Sequence, residues 1–131
     1  MGQQLGDADV LKTILVVEDD RVARSALEDI FDLLGYRSLL AQDGEEALRL
    51  YTEHAGTIDL VLSDLRMPKM DGIELARRLT ALDPQVKVVL STGYASEDQR
   101  QALTGAKIDG WIQKPYSLEQ LTALLDQLLG A

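Results

Sequence analysis

Cysteine is absent from the 131 residues, which excludes disulfides, thiolate metal sites and a cysteine nucleophile, and suits a reducing compartment, the cytoplasm being the simplest. Basic charge is scarce as well. Against 22 Asp and Glu stand 13 Lys and Arg, a formal net charge of -9 and a pI near 4.5, so phosphate backbones would be repelled and direct nucleic-acid binding is not expected. An acidic surface of this kind suits a cation or a protein partner. No apolar run approaches the roughly 18 residues that cross a bilayer, so no membrane insertion is expected. The opening MGQQLGDADVLK lacks both the basic and the apolar part of a secretion signal, and Gly6 stands where an acylation signal wants Ser or Thr. Residues 1–11 read as a disordered polar leader and 12–131 as one domain, whose 46% apolar composition is enough for a single core.

What is present is alternation. The apolar, β-branched stretches KTILVV (12–17), RSLLA, IDLVLS, VKVVLS and GWIQ recur at even spacing, and amphipathic stretches fill the gaps. In the first gap Val22, Ala26, Leu27, Ile30, Phe31 and Leu34 follow a helical period, with Gly35 placed to end the helix in a left-handed cap. Leu118, Leu121, Leu124, Leu125 and Leu128 repeat the period in the last segment. Asp43 with Glu46, Asp71 with Glu74, Ser96 with Gln99 and Ser117 with Gln120 each set a capping oxygen three residues ahead of Glu or Gln. Strands alternating with helices predict an α/β fold: a doubly wound, five-stranded parallel sheet of order 2-1-3-4-5 with five helices, flavodoxin-like, in which ligands sit beyond the carboxyl ends of the strands.

Function should therefore be read from the residues that follow each strand. Glu18-Asp19-Asp20 follow the first, Asp64 ends the third, Thr92-Gly93 close the fourth and Lys114-Pro115 follow the fifth. Strands one and three are neighbours in that order, so their acids would converge, and like charges about 4 Å apart repel by about 4 kcal/mol at an effective dielectric near 20. A positive charge has to offset this. Lys114 can project an ammonium, and oxygen-only ligands with open positions suit Mg2+ or Mn2+. Taken singly, each residue has an ordinary explanation. Asp20 is best read as the cap of the first helix, Glu18 and Asp19 as a solvated helix start, Thr92 as a strand-end threonine and Lys114 as a surface lysine. Their joint placement at one rim argues for a site.

The segments ILVVEDD, LVLSDLRMPKMDG, VVLSTGY and GWIQKPY, in this order, resemble the receiver domain of two-component response regulators over about residues 12–129. The resemblance implies that Asp64 accepts a phosphoryl group from a phosphohistidine on a sensor kinase or histidine phosphotransfer protein. It implies a Mg2+ site made by Glu18, Asp19, Asp64 and the backbone carbonyl of Arg66. Thr92 would bond a phosphoryl oxygen, Lys114 would pair with another, and a cis Lys114–Pro115 peptide would accompany it. Thr92 and Trp111 would form a switch that alters the face made by the fourth helix, fifth strand and fifth helix, with a partner or a second copy reading that face. Such a domain assists its own phosphorylation and dephosphorylation and is not a turnover enzyme.

Other residues are read more plainly. Tyr94 stands where a ring would shield an acyl phosphate from water, and Arg66 could touch the phosphoryl group or simply be solvated. His54 reads as a surface residue with no ligand role. Residues 105–110, GAKIDG, run two residues longer than the family's usual Gly-Ala-Asp-Gly. Two readings from other classes are weaker. A flavin module would need a Ser, Thr and Gly-rich phosphate loop where Glu18-Asp19-Asp20 stand. An aspartate-nucleophile phosphatase of the haloacid dehalogenase kind would have a second Asp where Arg66 stands. Within the receiver reading, a single-domain regulator and a receiver belonging to a hybrid histidine kinase or a longer response regulator both remain open.

Overall fold

The computed structural model describes residues 11–93 and 106–130, and the sheet order is β2-β1-β3-β4-β5, all parallel. The strands are β1 (Thr13–Val17), β2 (Arg37–Ala41), β3 (Leu60–Asp64), β4 (Val88–Thr92) and β5 (Gly110–Gln113). Helices α1 (Arg21–Leu33), α2 (Gly44–Glu53), α3 (Gly72–Leu82) and α4 (Leu118–Leu129) accompany them. The helix expected between β4 and β5, with its Ser96 and Gln99 signal, lies outside the described residues. So does Tyr94, and so does the leader apart from Leu11.

Continuous apolar runs form the central strands because both faces of the sheet are covered. Leu15, Val17, Val61, Val88 and Leu90 pack on one face beneath Ala47 and Tyr51 of α2 and Leu75, Ala76 and Leu79 of α3. Ile14, Val16, Leu62, Val89 and Ile112 line the other, under Leu27 and Phe31 of α1 and Leu121 and Leu125 of α4. Phe31, the only phenylalanine, is fully buried, which stabilises the fold by about 1.5 to 3 kcal/mol. Across the first face Tyr51 Oη donates to Asp83 Oδ2 at 2.7 Å and ties α2 to the end of α3.

Helix ends follow the sequence signals with two instructive differences. Gly35 has φ 87, and the amides of Gly35 and Tyr36 donate to the carbonyls of Asp32 and Phe31 at 3.1 and 2.8 Å, a left-handed closure of α1. Ser117 and Gln120 form a reciprocal capping box. Asp43 and Asp71 cap their helices, yet their partner glutamates do not return the bond to the cap. Glu46 accepts from the Gln42 amide instead, and Glu74 is drawn to Arg77 and Arg78 one turn on, where opposite charges at i+3 and i+4 compete for it. The second difference is Val22: expected on the apolar stripe of α1, it is 78% exposed. The first turn of α1 begins at the rim of the sheet, ahead of the apolar rows that cover Leu27 and Phe31.

The connection after β3 is built to hold its last residue still. Met70 is buried and plugs the loop against Gly44, while its amide bonds the Pro68 carbonyl at 2.8 Å, closing a tight turn in which Lys69 takes φ 71. The Gly72 amide then donates to Leu65 O at 2.8 Å. At Gly72 an added Cβ would lie 2.7 Å from the carbonyl oxygen of Asp64 and 3.1 Å from Leu65 Cα, so only glycine lets α3 start this close to β3. Gly72→Ala should therefore cost about 1 to 3 kcal/mol by overpacking against backbone that has no side chain to yield. A urea melt would show it as a lower midpoint with an unchanged slope, and an unchanged midpoint would contradict the close approach.

Candidate functional site

The β1–β2, β3–β4 and β4–β5 ladders each run one hydrogen bond past the strand, and those extra bonds place the rim residues. The Glu18 amide donates to Ala41 O at 3.0 Å, Leu65 N to Ser91 O at 2.8 Å and Lys114 N to Thr92 O at 2.7 Å. Register then does the rest. Val17 lies opposite Ser63, Asp64 opposite Ser91 and Thr92 opposite Gln113, so the ends of β1, β3, β4 and β5 are level.

Lys114 closes the site. Its Nζ donates to Glu18 Oε1 at 3.0 Å and to Asp64 Oδ2 at 3.2 Å, spanning from β5 across to β1 and β3. Carboxylate oxygens of Glu18, Asp19 and Asp64 fall within 4.8 Å of one another. Glu18 is 3% exposed, whereas Asp19 is open to solvent and Asp64 lies between. Burial raises the Glu18 carboxyl above its ordinary 4.5, opposed by the Asp20 amide and Lys114 and helped by Asp64. For Lys114 burial alone would depress the ammonium, but the bond to Glu18 and the charge of Asp64 prevail and raise it. Three carboxylates sharing one ammonium leave uncompensated negative charge in a small volume, and an all-oxygen donor set of that kind fits a hard divalent cation.

The remaining expected residues fall as follows. Asp20 is the α1 cap, accepting from the amides of Val22 and Ala23 at 2.8 and 3.1 Å. Thr92 is buried at 1% exposure, and Arg66 lies exposed in the loop after Asp64. Lys114–Pro115 is cis. Trp111 is partly buried against the core under α2 and α3, paired in register with Leu90. Because alternate residues share a face, Trp111 and Thr92 project from the same side of the sheet, two residues apart along the ladder. His54 is half-buried as the C-cap of α2. The longer 105–110 segment is pinned in its described part: Lys107 Nζ donates to Val86 O at 2.6 Å, Asp109 accepts from Val88 N at 2.8 Å, and Ile108 packs on the core.

Two features escaped the sequence reading. Arg24 reaches back from α1, its Nη1 donating to Glu18 O at 2.7 Å. A cation in the first turn of a helix, where the dipole disfavours it, was the available signal. Tyr116, one residue past Lys114-Pro115, has its phenol raised by burial. With Ala23, Ala26, Leu27, Ile30 and Pro115 it lines a groove of about 490 Å³ whose inner end is Glu18 and Lys114.

Burial of Glu18 yields a signed expectation. A carboxyl whose folded pKa is raised contributes stability that is complete below its unfolded value, 4.5, and lost as pH rises through the folded pKa. Glu18→Gln keeps the shape and never ionises. The metal-free variant should match the wild type in acid and melt higher at neutral pH, with the gap opening above pH 4.5. Thermal melts across that range test it, and a variant less stable than wild type at neutral pH would refute it.

Comparison with known proteins agrees with this geometry. Residues 14–126 match the profile of the response regulator receiver domain. The chain is 38% identical over 116 residues to the response regulator MprA of Mycobacterium sp. (strain KMS), covering 88% of this chain and 50% of that one, so it spans half the length of such relatives. It is also 35% identical over 117 residues to the sensor kinase CckA of Brucella abortus, covering 89% of this chain and 12% of that one. Among solved structures, a response regulator receiver domain protein from Clostridium thermocellum superposes with a TM-score of 0.85 at 26% identity, over 92% of this chain and 95% of that one. The receiver domain of the sensor histidine kinase PA1611 from Pseudomonas aeruginosa, solved with magnesium coordinated in its active site cleft, gives 0.81 at 28%, over 92% and 99%. Fold, rim chemistry and these likenesses converge, and the chain belongs to the response regulator receiver domain family.

Proposed function

We propose that Asp64 is the phosphoacceptor of this receiver and that the donor is a phosphohistidine on a sensor kinase or phosphotransfer protein. The observation that carries the reading is the Lys114 ammonium bridging Glu18 and Asp64 at 3.0 and 3.2 Å, with Asp19 completing the acidic cluster. Phosphoryl transfer is mostly positioning plus charge stabilisation. A carboxylate oxygen of Asp64, held by the Gly72 contact and the ladder bond beyond it, attacks phosphorus in line. The P–N bond of the donor breaks, its electron pair returns to the imidazole, and an acyl phosphate forms.

Glu18, Asp19, Asp64 and the Arg66 carbonyl would hold Mg2+, or Mn2+, which supplies charge neutralisation on the phosphoryl oxygens. Lys114 stabilises the charge on another oxygen. After transfer, Thr92 draws toward the phosphoryl group, and Trp111, on the same side of the sheet, repacks behind it. The face formed by β5 and α4 then changes for a protein partner or a second copy of the chain. Asp64→Asn should abolish the gain of about 80 Da seen by intact mass after acetyl phosphate and Mg2+, and persistence of a single adduct would place the acceptor elsewhere.

The groove on α1 supports a protein donor. It is apolar along Ala26, Leu27, Ile30 and Tyr116, opens at Glu18 and Lys114, and is flanked by the exposed Val22. A helix laid along α1 would bring an imidazole to Asp64. Ala26→Arg fills that groove away from the acids, so transfer from a phosphorylated histidine kinase should slow by about tenfold or more while acetyl phosphate labelling stays unchanged. Equal slowing with both donors would instead mean damage to the site.

A further inference from the structure

Arg24 has no part in the chemistry above, yet it is the best-connected residue behind the acidic pair. It lies four residues past the cap Asp20, and its side chain leans toward the helix start, as helical side chains do. Nη1 donates to the Glu18 carbonyl at 2.7 Å and makes a longer contact with the Asp19 carbonyl at 3.5 Å. Its own amide donates to Asp20 O at 2.9 Å, so backbone and guanidinium together grip all three residues of the loop.

The charge is placed against the helix field. No acidic residue occupies the first turn of α1, and among the described residues Arg24 forms no ion pair with a carboxylate. A guanidinium kept at the positive end of a helix and bonded to carbonyls is badly used as a surface charge. It is well used as a clamp. The Glu18 carbonyl belongs to the peptide that joins Glu18 to Asp19, so fixing it sets the directions in which the two side chains leave the chain. One goes inward to Lys114 and the other to the open rim. The Glu18 carboxylate adds a second tie by accepting from the Asp20 amide at 3.1 Å.

We propose that Arg24 is a positioning residue for the divalent-cation site, holding the Glu18–Asp19 peptide so that both carboxylates face Asp64. The inference rests on the reading of Glu18, Asp19 and Asp64 as cation ligands. Groups that orient metal ligands typically affect metal affinity by 10–100-fold, so Arg24→Met, which keeps the aliphatic stem and removes the donors, should weaken Mn2+ binding by about tenfold. Arg24→Lys restores one donor and the charge and should recover most of that loss.

The test is a Mn2+ titration followed by electron paramagnetic resonance, paired with acetyl phosphate labelling across Mg2+ concentrations. For Arg24→Met the Mg2+ requirement should rise about tenfold while the labelling rate at saturating Mg2+ stays within about twofold of wild type, because the residue acts on affinity and touches no reacting atom. A lowered saturating rate, or Mn2+ affinity within twofold of wild type in a folded variant, overturns the proposal. If Arg24→Met does not fold, Arg24→Gln carries the same test with a shift of about threefold, since a neutral donor of shorter reach remains. Wild type that binds no Mn2+ defeats the cation-site reading itself, and the proposal with it. Loss of binding in Asp19→Asn alone leaves that reading intact and refutes only the clamp.

Discussion

The bridge from Lys114 to Glu18 and Asp64 is the interaction on which the rim site depends. Two carboxylates about 4 Å apart repel by about 4 kcal/mol at an effective dielectric near 20, and a third stands beside them. One ammonium offsets part of that, and because Lys114 is a third exposed, solvent screens its contribution. Its position comes from the backbone: the Lys114 amide is bonded to the Thr92 carbonyl, β4 is registered on β3, and β3 on β1. Ninety-six residues separate Lys114 from Glu18 in the chain, and the register from β5 through β4 and β3 to β1 joins them in space. A shift of one residue in any of those pairings would send the rim side chains to the opposite face and leave the acids without their counter-charge.

The same bridge bears on the proposed phosphorylation of Asp64. In the proposed reaction, phosphorylating Asp64 would convert its carboxylate to an acyl phosphate and put a dianionic group farther out in its place. Lys114 would then have a stronger partner than either acid, and Thr92, at the next strand end, would have an acceptor to approach. Because Thr92 and Trp111 leave the same side of the sheet, a movement of one alters the packing space of the other through shared neighbours such as Leu90. Close-packed interiors favour discrete repacking over gradual deformation, so the proposed response would be a shift between two arrangements.

Much of this was legible in the chain because it was written in short-range terms. Continuous apolar runs, helical periods and caps identified five strands and the described helices, and the doubly wound rule then turned residues scattered from 18 to 114 into neighbours at one rim. Asp20 could be separated from Glu18 and Asp19 because a capping acid has a local signature. Asp71-Gly72 could be read as a turn, but the need for glycine there comes from the Asp64 carbonyl, a contact across the loop that no turn propensity encodes. Glu46 and Glu74 stand where a reciprocal cap would place them, but each has another partner within reach. Val22 keeps the helical period yet is exposed, because periodicity reports which side of a helix is apolar, but not how far along the helix the sheet extends beneath it.

That exposed first turn of α1 bears on how stability and function are divided. Most of the helix is held by Leu27 and Phe31, well below the rim, so Val22 and Ala26 contribute little to the core and are free to meet another surface. Arg21 and Arg24 occupy a turn where acids would have stabilised the helix more. A chain selected for stability alone would place Asp or Glu there, but those charges would sit beside a cluster already crowded with carboxylates. The arginine turn is thus the other half of the compensation that Lys114 begins. Glu18 and Asp64 are held from the sheet side by an ammonium, and Glu18 and Asp19 from the helix side by a guanidinium that bonds their carbonyls, with the Glu18 carboxylate turned inward to Lys114 and that of Asp19 open to solvent.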